Sequence, residues 1–307
     1  MPWIRPLLAV TIFLLIAGRL SGALEQDWWG AFLFYFSNSD RAYLLVLVMI
    51  LMPVNWLIES LKWKNCIYGL ERISLWLSFK AVLTGVSVSL FMPNRIGEYA
   101  GRVFVLQEAD RIKAALATVV AAWSQLLVTV VAGAIALAFY ETGGVFSFAD
   151  LPVASAISCM LLFMYFSSNR IGVLLSKLPL PLTWKHRLDA LSMFTPRQLS
   201  VMLTYSMIRY AVFVFQFMLI LHFFEVVINP MNAVIGIAVT YLVMSVVPTI
   251  ALTELGIRGA VAVLIFTPYS GDVEQVVFAS SMLWFINQIL PAMAGSLFII
   301  RWRFTRR

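Results

Sequence analysis

A charged, proline-broken stretch interrupts an otherwise apolar chain: Pro93-Asn94-Arg95-Ile96-Gly97-Glu98-Tyr99-Ala100-Gly101-Arg102. The run ahead of it, 73–92, is apolar enough to lie in a bilayer. Pro93 ends that run as a helix, because it has no N–H to donate and its ring clashes with the preceding turn. Two arginines and a glutamate then fall where lipid-exposed backbone carries no charge. Irregular, charged chain at membrane depth survives only where it lines a cavity or is packed in protein. A helix restarting near Ile96 puts Glu98 and Arg102 four residues apart on one face, where they pair. Gly97 and Gly101 allow backbones to approach closely.

The rest of the chain supplies the membrane. Of 307 residues, 62% are hydrophobic and 12% charged; a soluble domain carries about 25% charge. Apolar segments fall at 4–20, 42–61, 73–92, 114–139, 151–168, 199–224, 231–250, 255–268 and 275–300. No linker composition divides them, so 1–307 reads as one membrane domain. The 4–20 segment reads as a retained first helix. The net charge of +7 sits in short segments between apolar runs. That distribution points to topology and to anionic lipid at the cytoplasmic face, and away from nucleic acid. Cys66 and Cys159 are isolated, which suits neither a metal site nor a disulfide framework. The sequence has no Walker loop, metal-ligand cluster or Ser/His/Asp arrangement, so no cofactor, metal or catalytic residue is expected. There is no room for an appended soluble domain.

Basic residues orient the segments by the positive-inside rule. Arg5, Lys62, Lys64, Arg72, Arg111, Lys113, the 170–197 loop and the Arg301–Arg307 tail read as cytoplasmic, with both termini inside. The loops 21–41, 140–150 and 225–231 read as external. Segments 73–110 and 231–274 then each enter and leave on one side. The expected fold is all-α: about six spanning helices plus two opposed re-entrant hairpins, as an inverted repeat of 42–139 and 199–300. The second break is Pro248 to Glu254, followed by Gly256 and Arg258. Broken helices that meet near the midplane are a transporter plan.

The motif P-N-R-I-G-E-Y-A-G-R at 93–102 and E-L-G-I-R-G at 254–259 resemble the lysylphosphatidylglycerol synthase transmembrane, or flippase-like, family. The resemblance covers most of the chain. It implies a lipid translocase of the bacterial cytoplasmic membrane; synthase activity belongs to a cytosolic domain and is not transferred.

Arg95, Arg102 and Arg258 are the phosphate candidates, since arginine stays charged and grips phosphate oxygens bidentately. Helix N-termini after Pro93 and Pro248 add positive potential. Glu98 and Glu254 orient the arginines or meet a cationic headgroup, and Asn94, Tyr99 and Thr253 complete a polar lining. Pro93, Gly97, Gly101, Pro248 and Gly256 are the hinge candidates. The plainer reading makes Glu98–Arg102 and Glu254–Arg258 structural locks. Trp28, Trp29, Trp56 and Trp63 read as interfacial anchors. Lys80 reads as snorkelling to the surface. Gln125, Asn287 and Gln288 suit either the cavity or interhelical bonds.

Two other functions compete. One is a non-transporting scaffold that docks a lipid-modifying enzyme through 170–197. The other is an intramembrane transferase using Glu98 or Glu254 as base. The candidate partners are a lipid substrate, such an enzyme and a second copy of the chain.

Overall fold

The computed structural model describes residues 28–37, 40–92, 96–140, 151–176, 181, 187, 190–247 and 251–305. The expected 4–20 helix, Pro93, Asn94, Arg95, Pro248, the 141–150 loop and much of the basic loop lie outside this set, as do the side chains of Trp28 and Trp29.

Every regular element among the described residues is helical. In chain order these are α1 (Trp28–Ser37), α2 (Ala42–Cys66), α3 (Leu75–Ser89), α4 (Gly97–Val103), α5 (Arg111–Leu137), α6 (Leu151–Phe166) and α7 (Ser168–Ser176). They continue with α8 (Pro196–Phe223), α9 (Pro230–Val246), α10 (Ala251–Phe266) and α11 (Val273–Trp284). A π-turn (Phe285–Ile289) then joins α11 to α12 (Leu290–Thr305).

Four rods are long and apolar enough to cross a membrane: α2, α5, α8 and 273–300. The apolar segment at 151–168 is α6, which meets α7 at a bend of 69°, and the bent pair makes a fifth candidate span if it is taken as one.

Local chemistry starts the helices where they begin. Ser74 accepts from the Leu77 N–H at the head of α3, and Asp110 accepts from Ile112 and Lys113 at the head of α5. Thr195 and Gln198 form a reciprocal capping box ahead of α8, with Pro196 in the first turn. Asn229 accepts from the Met231 N–H at the head of α9, with Pro230 in its first turn.

Two pairs of shorter helices, α3 with α4 and α9 with α10, pack against each other. Gly97 abuts Val88 and Ser89, while Gly101 abuts Gly85, so α4 runs antiparallel along α3. A Cβ on Gly101 would stand 2.6 Å from the Gly85 Cα, so the pair requires two glycines. Gly236, early in α9, faces Phe266 at the end of α10. The return legs differ: α4 has 7 residues and α10 has 16.

Packing between the halves is reciprocal. α2 lies along α8, α3 against α12, and α9 against α5. Two apolar clusters result. One gathers the start of α2 with the ends of α5 and α8, α9, α10 and α11. The other gathers the end of α2 with α3, α4 and the starts of α5 and α8.

Three expectations are corrected. α2 runs on to Cys66, so Lys62 is not in a loop; it is buried in the helix. Trp56 and Trp63 are not interfacial: both are buried, and the Trp63 indole N–H donates to Thr118 Oγ1 at 3.0 Å. Lys64 is in the last turn of α2, and Arg72 follows the helix.

The chain after α2 is tied to the turn before α5 by one side chain. Glu71 accepts from the backbone N–H groups of Gln107, Glu108 and Ala109 at 3.0–3.3 Å. Burial alone would raise this carboxyl, but the three N–H donors outweigh it and hold it below its ordinary value of 4.5. A lowered folded value means the tether contributes fully above that ordinary value and is lost as pH falls through the lowered one. Hydrogen exchange at Gln107–Ala109, corrected for intrinsic rates, should therefore be slow at neutral pH and quicken in acid. Glu71→Gln should exchange fast at both.

Candidate functional site

Polar residues occur on the long helices between the two apolar clusters. On α2 they are Asn55, Glu59 and Lys62, spaced four and three apart and so on one face. On α8 they are Ser206 and Arg209, and on α5 Ser124 and Gln125. Arg209 is at the midpoint of α8, about 20 Å from either end at 1.5 Å per residue.

Glu59 is the hub. Its carboxylate takes Arg102 Nη1 from α4 at 2.6 Å, Lys62 Nζ from its own helix at 2.9 Å, and Arg209 Nη1 from α8. Arg209 also donates through Nε to Asn55 Oδ1 at 2.8 Å, and its guanidinium faces the Trp56 and Phe213 rings. Lys62 reaches Ser206 Oγ at 3.3 Å, and Ser206 shares a 2.7 Å bond with Ser124. Such a group resists separation, because removing one partner leaves buried charge uncompensated.

Arg102 uses its other nitrogen, Nη2, to hold Glu98 at 3.0 Å. On α10, Arg258 Nη2 holds Glu254 at 2.9 Å. Both pairs have the four-residue spacing read from the sequence, and both line one cavity of about 780 Å³. Its charged wall comprises Lys62, Arg102, Arg209 and Arg258 with Glu59, Glu98 and Glu254. Four cations against three carboxylates leave a surplus of one positive charge, which suits an anion.

The remaining wall is aromatic and amide: Trp56, Tyr210, Tyr241, Trp284, Asn287 and Gln288 among others. The π-turn brings Asn287 and Gln288 to it, and π-turns recur at functional positions because they break the α register of a helix.

Of the residues singled out in the sequence, the cavity wall contains Glu98, Tyr99, Arg102, Glu254 and Arg258, along with Gln125, Asn287 and Gln288. Thr253 is half-buried in the first turn of α10, outside that wall. Gly97 and Gly101 form the α3–α4 contact. Gly256 lies inside α10, where an added Cβ meets nothing within 4 Å. Lys80 is half-buried, with its ammonium 5.1 Å from the Trp76 ring centroid and 5.7 Å from that of Phe298. Arg95, Asn94, Pro93 and Pro248 are outside the described residues. Sequence reasoning missed Glu59 and Arg209 and gave Lys62 only a topological role. The Asn55-Glu59-Lys62 face was the signal available for finding them.

No curated protein matches the chain. The family described as the lysylphosphatidylglycerol synthase TM region matches residues 7–295, a stretch that contains both charged breaks and every element of the cavity. With nearly its whole length matched, the chain belongs to that membrane family.

Proposed function

We propose that the protein is a lipid translocase of the bacterial cytoplasmic membrane, passing a phosphate-bearing headgroup between leaflets while the acyl tails stay in lipid. One observation carries this reading. Two guanidinium–carboxylate pairs, from separate hairpins in opposite halves of the chain, face one cavity at the level of the mid-helix polar residues.

A charge at the bilayer centre costs about 2.5–3.5 kcal/mol even on permissive scales. Fixed guanidinium groups offset that cost for a phosphate, whose oxygens accept two parallel N–H bonds. The cavity rim includes Leu126 and Val246, 39% and 76% exposed, which offers an apolar edge for the tails. Re-entrant geometry is supported by the folded-back hairpins. It is supported too by α3 and α9, whose 15 and 17 residues are fewer than the about 20 that a straight span needs. The reciprocal packing of α3 on α12 and α9 on α5 supports an inverted repeat.

The test is scrambling of headgroup-labelled phospholipids in proteoliposomes. Wild type should equilibrate a labelled phospholipid between leaflets. Arg258→Ala should slow it about tenfold to a hundredfold, since hydrogen bonds to charged groups contribute about 1.5–3 kcal/mol. Arg258 is the better probe because among the described residues it pairs with Glu254, whereas Arg102 also holds the Glu59 cluster together. Arg102→Lys should keep the charge, lose the planar grip and lose rate with the fold intact. Wild type that moves no labelled phospholipid would overturn the reading in favour of a scaffold for a lipid-modifying enzyme.

A further inference from the structure

Lys80 belongs neither to the cavity wall nor to the Glu59 cluster. α3 begins at Leu75, so at 1.5 Å per residue this lysine lies about 8 Å into an apolar helix. Its ammonium rests 5.1 Å from the Trp76 ring centroid and 5.7 Å from that of Phe298 on α12. Among the described residues it has no carboxylate partner and no hydrogen-bond acceptor. The rings attract the cation but do not neutralise it. A cation on a membrane helix is costly unless something anionic or wet meets it.

The surroundings of Lys80 form the open end of a tight seam. Lys80 and Ser87 are two turns apart on α3 and share a face, as Gly295 and Phe298 do on α12. At Gly295 the two helices are in backbone contact with the Leu83 carbonyl, and Ser87 donates to the Ala292 carbonyl. Toward the start of α3 side chains take over. Trp76 stands edge-on to Phe298 with centroids 6.0 Å apart, and stacks on Phe79 at 5.8 Å. Trp76 is 58% exposed, and among the described residues its indole N–H donates to nothing. An ammonium and an indole N–H therefore stand one turn apart on α3, both outside the cavity wall and both without an acceptor.

We propose that Trp76, Lys80 and Phe298 hold the headgroup of an anionic phospholipid against the α3–α12 seam, in the leaflet where α3 begins. A phosphodiester supplies the counter-charge that the ammonium lacks and an acceptor for the indole N–H. The rings then lie at headgroup level, where tryptophan commonly sits. A zwitterionic headgroup brings its own cation toward Lys80 and neutralises it less. Arg72, Arg111 and Lys113 occur at the same end of the helices, brought together by the Glu71 tether, and a basic surplus of this kind marks a cytoplasmic leaflet. This lipid is a standing partner rather than cargo. It staples α3 to α12 where their backbone contact ends, and it does so whether or not the cavity moves lipid.

The experiment is fluorescence of the full chain in phosphatidylcholine nanodiscs, with a rising fraction of acyl-brominated phosphatidylglycerol or acyl-brominated phosphatidylcholine. Bromine quenches nearby indoles, and the difference from Trp76→Phe isolates Trp76 among the ten tryptophans. The Trp76 signal should report an affinity about tenfold higher for phosphatidylglycerol, the effect of one hydrogen bond to a charged group. Lys80→Gln should bring the two lipids level, and Lys80→Arg should keep the preference. Arg258→Ala, which acts in the cavity, should leave the preference unchanged, so failure of transport and failure of this site are distinguishable.

Equal quenching by the two lipids in wild type overturns the site and leaves Lys80 as a snorkelling cation; that comparison needs no variant to fold. Trp76 unquenched by either lipid overturns it too. A preference that survives Lys80→Gln overturns the assignment to this lysine. A preference lost in Arg258→Ala moves the lipid into the cavity and overturns the seam site.

Discussion

Glu59→Gln should destabilise the protein by about 3–5 kcal/mol, the typical result of removing one partner from a buried ion pair. The substitution changes little in size, so the loss is electrostatic. Arg102, Lys62 and Arg209 are 4%, 1% and 6% exposed, and all three converge on this carboxylate. Arg102 keeps Glu98, and Arg209 keeps Asn55 and the two aromatic faces, but among the described residues Lys62 keeps a serine hydroxyl. A large drop in melting temperature and a broadened size-exclusion peak in detergent should result. Adding Lys62→Met to Glu59→Gln should recover part of the loss, because the stranded ammonium is removed and an apolar stem still fills its space. An unchanged melting temperature for Glu59→Gln alone would show that the cations are held by something other than the hub.

The second large effect concerns backbone contact. Gly295 on α12 lies directly on the Leu83 carbonyl and Ser87 Oγ of α3, so an added Cβ has no space. The Ser87 hydroxyl also donates to the Ala292 carbonyl at 2.5 Å, fixing the same seam. Gly295→Val should cost about 3 kcal/mol or more, at the upper end of overpacking penalties, and should push α12 off the first hairpin. Gly256→Ala provides the contrast. Its Cβ enters open space within a helix, where exchanging Gly for Ala gains about 0.8–1 kcal/mol. Thermal melts of the two variants should move in opposite directions. If Gly295→Val melts like wild type, the close approach of α3 and α12 is wrong.

The two charged breaks were legible because their partners are local. Glu98 with Arg102 and Glu254 with Arg258 are four apart, so the pairing can be read without knowing the fold. The hub was hidden by long range: Arg209 is 150 positions from Glu59 in the chain, and only the packing of α8 along α2 joins them. Lys62 misled through a rule that is sound on average, since a lysine near the end of an apolar run usually marks the cytoplasmic surface. Here an acid one turn earlier drew it inward. Trp56 and Trp63 misled in the same way, because tryptophan near a helix end is read as an anchor until something is seen to cover it. The π-turn left no mark in the sequence: Phe-Ile-Asn-Gln-Ile suits an α-helix equally well.

That turn also carries a record of how the chain may be edited. A π-turn is one residue more than the α-helix needs, so removing a single position from 285–289 would restore unbroken α hydrogen bonding. The surplus residue is taken up in the wide turn itself, so the same deletion would leave the faces of α11 and α12 as they are and would remove the widening from which Asn287 and Gln288 reach the cavity. Shortened relatives of this chain should thus have a smoother rod and an altered cavity wall. Among family members, a gap of one residue at this point should mark a change in the cavity wall more sharply than substitutions elsewhere in the helix.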